Sequence, residues 1–223
     1  PSMLFGNILA STLRANGITV HNIESVQANS PPSQGEELYV HSTPISDALL
    51  RSHRDSHTLY AEALLNRLAA SATRRPGTFD EGATIIEVAV KQRLEETQRG
   101  LSVADGSGMS RTNHTSTRTL ARWLASFKLH EPTGHALVAS LATPGSGTLE
   151  NRFKGVTLDG ATVHAKSGYL RGVCSLSGYI IFDSGRSPIV FSIIVNDIKG
   201  TVKGAKKMQE LIVAELTRTL GSD

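Results

Sequence analysis

His164-Ala165-Lys166-Ser167-Gly168-Tyr169-Leu170, followed by Gly172-Val173-Cys174-Ser175-Leu176-Ser177-Gly178-Tyr179-Ile180-Ile181-Phe182, decides the fold of this chain. Ala161-Thr162-Val163 reads as the start of a strand leading into it, and residues 188–196 form a third run rich in β-branched residues. Short polar or glycine-containing joints at 170–172 and 183–187 separate the three, which is the pattern of an antiparallel meander. Lys166 and Ser167 therefore lie near the end of one strand, and Gly168 after them leaves room for close approach to the backbone. An ammonium and a hydroxyl side by side, next to free strand backbone, suit a peptide's terminal carboxylate and main-chain pairing along the edge. Taken alone, Lys-Ser-Gly equally describes a solvated strand end.

Outward from this meander the chain is helical. Residues 201–220 read as a closing helix with Met208, Leu211, Ile212, Ala214 and Leu216 as its buried stripe. Upstream, Ser2 is placed to cap a helix carrying Leu4, Phe5, Ile8, Leu9 and Leu13 on one face, with Gly17 ending it. Residues 18–26 and 37–42 read as strands around a turn-rich loop at 29–35. Pro44 opens a helix, residues 51–57 form a polar break, and a second helix carries Leu59, Ala61, Leu64, Leu65 and Leu68. Thr78 and Glu81 have capping-box spacing for a helix to about Glu96. Further amphipathic helices begin at Ser116 and cover 135–141, before a turn at Pro144-Gly145-Ser146-Gly147. Helices followed by an antiparallel sheet and a terminal helix make an α+β layered fold.

The chain has 223 residues, 39% of them hydrophobic and 19% charged, so it can bury a sizeable core and is not a disordered polymer. Basic residues are dispersed, the net charge is +3 and aromatics are only 5%, which argues against nucleic acid as a partner. No apolar run approaches the ~18 residues needed to span a bilayer, so no transmembrane segment is expected. The one cysteine, Cys174, excludes an internal disulfide and reads as a small buried hydrophobe. The chain opens at Pro1 without an initiator methionine, which points to a mature or truncated product.

Three polar features carry alternative chemistry. Asp105-Gly106-Ser107-Gly108 has the look of a phosphate loop but lacks the Gly-Lys-Ser/Thr ending, so a turn held by Asp105 is the better account. His53 and His57 are four apart, a spacing that suits a metal, yet no third ligand follows at credible spacing and no metal is expected. Ser56 stands where it can cap the helix that follows, and a capping serine can also do chemistry. There is no G-x-S-x-G elbow and no S-x-x-K.

Taken together the segments resemble the penicillin-binding D-alanyl-D-alanine carboxypeptidase/endopeptidase family whose transpeptidase-like domain carries a large insertion. Asp105-Gly106-Ser107-Gly108-Met109-Ser110-Arg111 is similar to its D-G-S-G-L-S-R, Gly147-Thr148-Leu149-Glu150-Asn151-Arg152-Phe153 to its G-T-L-x-x-R-F, and Ala165-Lys166-Ser167-Gly168 to its A-K-T-G. Phe191 to Asn196 resembles its last strand. The resemblance covers essentially the whole chain. It implies a β-lactamase/transpeptidase-like α+β fold, incomplete at the N-terminal side, with residues 1–223 as the C-terminal portion of the domain.

The same resemblance implies roles. Leu59-Tyr60-Ala61-Glu62 matches the helix after the family's second motif, which makes Ser56 its serine and leaves Thr58 where the family has asparagine. Ser56 would relay a proton, Lys166 and Ser167 would hold the substrate carboxylate beside Gly168, and the Tyr169 backbone N–H would be an oxyanion-hole donor. The acylating serine of S-x-x-K precedes the insertion and is expected ahead of Pro1. The implied substrate is a peptidoglycan stem peptide ending in D-Ala-D-Ala, with β-lactams as ligands when the nucleophile is present and no metal or organic cofactor. The parent would then be periplasmic or in the cell envelope. The alternative is an inactive muropeptide-binding or structural module.

Overall fold

The computed structural model describes residues 2–25, 40–95 and 100–221. They fall into two compact units, 1–41 and 42–223. In the first, α1 spans Ser2–Ala15 and ends at Gly17, whose φ of 80° permits the reversal that a Cβ would strain. Leu4, Phe5, Ile8 and Leu9 are exposed on it. The strand expected from residue 18 is absent: 18–25 is irregular chain returning along α1, with Val20 O accepting from Arg14 and Ile23 close over Gly6. Among the described residues it has no partner strand, and without a ladder a β-rich run stays coil. Residues 40–42 are likewise not a strand, and 26–39, with the predicted loop and the start of the second strand, lie outside the described residues.

The second unit begins with α2 (Ile45–His53), α3 (Thr58–Thr73) and α4 (Phe79–Leu94). Thr78 and Glu81 form the expected capping box. The polar break before α3 is shorter than expected, because α2 continues to His53 and Asp55 then answers Arg51 and Arg54. α5 (Thr117–Ala125) is capped by Ser116, whose hydroxyl accepts from the Thr119 N–H. α6 (Pro132–Ser140) starts three residues earlier than read from the sequence, with Pro132 in its first turn.

The meander follows as β1 (Ala161–Leu170), β2 (Val173–Phe182) and β3 (Ile189–Val195), antiparallel in that order. The β1–β2 turn is Arg171-Gly172, with Gly172 at φ 86°. Alternation sorts the side chains into two faces. Val163, Ala165, Leu176, Ile180 and Phe191 form one apolar layer with Val213 of α7 (Val202–Gly221). The other face carries His164, Lys166, Ser177, Tyr179 and Ser192 toward the helices, where the Tyr179 hydroxyl donates to Leu124 O of α5 at 2.8 Å. Cys174 is buried in β2.

α7 does not bury the stripe its apolar spacing suggests. Met208, Leu211 and Ile212 are exposed, Ala214 and Leu216 are half-buried, and Gln209, Glu210, Val213 and Thr217 face inward. The reason is polar. Arg152 is buried and donates to Glu210 at 2.5 Å and to Gln209 at 3.2 Å, while Gln209 donates to Cys174 O at 3.3 Å. A buried guanidinium without its carboxylate costs more than several exposed methylenes regain, so the helix turns to satisfy it. The outward stripe is an apolar helix face open to solvent. Leu211→Ser is therefore expected to leave stability within about 0.5 kcal/mol, and Val213→Ala to cost about 1.5–3 kcal/mol, in urea titrations. The reverse order would mean that the stripe is buried in solution.

Candidate active site

Lys166 leaves β1 on the helical face, and its ammonium donates to Ser56 Oγ at 2.7 Å and to Ser167 O at 2.7 Å. The two side chains are 110 residues apart in sequence. Burial lowers the Lys166 pKa to about 8, because an ammonium taken from water is stabilised only by the dipoles left around it. A lysine of this kind is mostly protonated at pH 7 yet gives up its proton readily just above it. It has three N–H groups, so two are committed and one remains for an incoming anion. Ser56 accepts from Lys166 and keeps its own hydrogen to donate.

Ser56 is not the helix cap that its position suggested. His57 occupies the cap position of α3, without a side-chain bond, and Ser56 lies one residue earlier at φ 54°. A non-glycine residue in this left-handed region is strained by about 1 kcal/mol or more, so its surroundings must hold it. They do so on two sides. Arg54 O accepts from the Thr148 N–H at 2.9 Å, and His57 N donates to Arg51 O at 3.0 Å. Gly147 admits the close packing, since a Cβ there would sit 2.3 Å from Arg54 O. The Gly-Thr-Leu turn thus seats the Ser56 turn.

Ser167 and Tyr169 alternate onto the opposite face from Lys166, and Lys206 of α7 stands 6.0 Å from the Tyr169 ring. Their backbone groups lie on the open side of β1. Ala165 N donates outward to Ala142 O at 2.8 Å, and the same alternation turns the Tyr169 N–H out of that edge two residues beyond Ser167. Gly168 is required from within the sheet: a Cβ there would meet Ser175 Oγ at 2.5 Å. Thr58 is exposed in the first turn of α3, beside Ser56.

The polar loop after α4 is tied to the same helix. Glu62 accepts from Gly106 N at 3.0 Å and Ser107 N at 3.3 Å, and Gly106 lies so close to Ala61 O that no Cβ fits. Asp105 accepts from Gly108 N, Ser110 N and Asn113, at 2.6–2.7 Å. Burial pulls its pKa up, but these bonds outweigh burial and hold it below the usual carboxylate range. The loop's amides are spent on these two carboxylates, so it is a turn and not a phosphate cradle. Arg111 beyond it donates to Arg171 O at 3.1 Å, and Ile198 N donates to Gly172 O at 3.1 Å, gripping the hairpin tip from two sides.

His53 and His57 do not converge. His53 Nδ1 lies 2.7 Å from Ser140 Oγ of α6, while His57 packs edge-on to Tyr60. Among the described residues no group of three His, Cys, Asp or Glu is placed to hold a metal ion. The sequence reading missed Ser140, Glu62 and Thr148 as supports, and no local spacing connects them to Ser56. The G-T-L and L-Y-A-E segments were the only pointers to the last two.

The chain matches the model of the D-Ala-D-Ala carboxypeptidase 3 (S13) family over residues 1–218. It is 30% identical, over 99% of its own length and 41% of the relative's, to a D-alanyl-D-alanine carboxypeptidase of Actinomadura sp. (strain R39). Among solved structures it resembles penicillin binding protein 4 from Haemophilus influenzae in complex with a β-lactam, at 25% identity and a TM-score of 0.71, covering 96% of this chain and 49% of that one. A class A β-lactamase from Mycobacterium abscessus shares the fold at 17% identity and TM-score 0.55, covering 97% and 81%. The chain therefore spans less than half the length of the two carboxypeptidase-type proteins.

The lowered Lys166 pKa has a stability consequence. The unfolded chain holds this proton up to about 10.5 and the folded chain only to about 8, so folding releases it in between. Stability is expected to rise with pH from 8 to about 10 by roughly 1–3 kcal/mol, and Lys166→Met is expected to flatten that rise in urea titrations. For His53 and His164, burial is the first cause of a lowered pKa, so stability is lost as pH drops below about 6.5.

Proposed function

This chain belongs to the S13 family of D-Ala-D-Ala carboxypeptidases, serine-type peptidases, and from that membership we propose that it supplies the carboxylate-binding and proton-relay half of a site acting on peptidoglycan stem peptides. The observation that carries the reading is the Lys166 ammonium held 2.7 Å from Ser56 Oγ at the open edge of β1. In this reading residues 1–223 are the C-terminal portion of a transpeptidase-like domain. The attacking serine belongs to an S-x-x-K segment that this chain does not contain.

The geometry at Lys166 and Ser56 supports the following proposed steps. A stem peptide lies extended along the free edge of β1 and pairs with its outward backbone groups. Its terminal carboxylate takes the remaining N–H of Lys166, and, because the Ser167 side chain alternates to the other face, the outward backbone N–H of Ser167 takes the place expected for its hydroxyl. The nucleophilic serine gives its proton to the lysine of its own S-x-x-K segment and attacks the carbonyl of the penultimate D-Ala, and the oxyanion that forms accepts from the Tyr169 N–H. Ser56 passes its proton to the leaving amine and is refilled from Lys166, whose lowered proton affinity suits the transfer. Terminal D-Ala departs, and water then cleaves the acyl-enzyme. β-Lactams would acylate the same serine, and the parent would work in the periplasm or cell envelope, where stem peptides are found.

A second reading, a muropeptide-binding module without turnover, is favoured by one observation. Thr58 stands where the resemblance expects asparagine, and its one hydroxyl, although it can donate and accept, reaches less far than an asparagine amide toward the substrate amide and the lysine.

Intact-mass spectrometry separates these readings. The chain as it stands is expected to form no stoichiometric adduct with a labelled penicillin, and its complement with an N-terminal segment bearing S-x-x-K is expected to form one. Acylation of the present chain would mean another nucleophile and overturn the division of labour. No acylation of the complemented protein, but its recovery with Thr58→Asn, would establish the binding-module reading. Calorimetric titration with a peptide ending in D-Ala-D-Ala is expected to show binding that Lys166→Ala weakens at least tenfold, about 1.4 kcal/mol.

A further inference from the structure

His53 closes the last turn of α2 three residues before Ser56, and none of the steps above uses it. Its Nδ1 lies 2.7 Å from Ser140 Oγ, and that hydroxyl also donates to Leu137 O at 2.7 Å. A serine hydroxyl has one hydrogen. With that hydrogen on Leu137 O, the proton between His53 and Ser140 belongs to Nδ1, so the neutral ring is the Nδ1–H tautomer with a bare Nε2. Ser140 is only 4% exposed, so an Nδ1 lacking its proton would leave the bond without a donor. The same helix is held a second time by His164 of β1, hydrogen-bonded to the Val138 backbone. The strained turn at Ser56 thus has a third anchor, reaching α6.

We propose that His53 is a positioning residue for the Lys166–Ser56 pair: through Nδ1–H and Ser140 it ties the turn that carries Ser56 to α6. It rests on that pair being the proposed site only for its bearing on peptide turnover, because the tether is present without ligand. The charges around His53 fit this role. Lys166 bears on it from β1; Arg51, Arg54 and Asp55 lie on its own element, where Asp55 answers both arginines; α6 offers it a hydroxyl and no charge. Burial first, then the Lys166 charge, push its pKa down. A cationic His53 would set a second positive charge against Lys166, so the tether works with a neutral ring.

The test uses the chain without peptide, labelled with 15N-histidine and 15N-lysine, with His53 and Lys166 assigned by the loss of their signals in His53→Asn and Lys166→Met. Long-range proton–nitrogen spectra at pH 7.5 are expected to show His53 protonated at Nδ1 and bare at Nε2. The Lys166 amine is expected to titrate near 8. His53→Asn, whose amide donates from the Nδ1 position, is expected to leave that midpoint in place. Ser140→Ala and His53→Leu, which remove the tether, are expected to raise it by about one pH unit, a tenfold gain in proton affinity, as the turn loosens and water reaches the amine. An Nε2–H tautomer in the parent chain overturns the proposal, a reading that requires no variant to fold. So does an unmoved Lys166 midpoint in either untethered variant, even with a lower melting temperature, since that is a structural role alone. A failure of peptide binding is a separate result, because no peptide is present.

Discussion

One hydrogen bond, from the Lys166 ammonium to Ser56 Oγ, is the constraint to which the rest of this unit answers. It joins the meander to the turn between α2 and α3, two parts of the chain that share no local sequence relation. An ammonium withdrawn from water needs oxygen atoms in fixed places, and the structure provides a hydroxyl and a carbonyl at 2.7 Å each. To keep that hydroxyl in place, Ser56 adopts a strained backbone, and the Gly-Thr-Leu turn and the His53–Ser140 bridge hold the strain. The D-G-S-G loop braces α3 through Glu62 on the other side. Motifs scattered over the sequence are thus supports for a single polar contact.

The apolar core sits on the far side of the sheet and is organised by a different polar contact. Arg152 enters from the segment after the Gly-Thr-Leu turn and meets Glu210 and Gln209 of α7. That pairing sets the rotation of the terminal helix and turns Met208, Leu211 and Ile212 outward. That outward face stays open to solvent.

Much of the architecture was legible because it rests on short-range periodicity. The three strands fell within a residue or two of their expected bounds, and the Thr78–Glu81 box starts α4 as its spacing requires. What was not legible depends on distant partners. The face of α7 could not be read because nothing within it announces an arginine about 58 residues away. The segment from residue 18 has strand-forming residues but no ladder among the described residues. Ser56 was legible as a site residue only through the resemblance of the segment after it; by position alone it read as a cap, and the structure instead sets it one residue before the cap in a strained turn. His53 and His57 invited a metal reading from their spacing, and the fold sends the two rings to unrelated partners.

The hairpin tip at Arg171-Gly172 is held by Arg111 on one flank and by Ile198 on the other. A β-hairpin clasped at its apex cannot pivot about its base, so β1 and β2 move together as one stiff plank. Lengthening the turn would undo both clasps at once and loosen the plank from its far end.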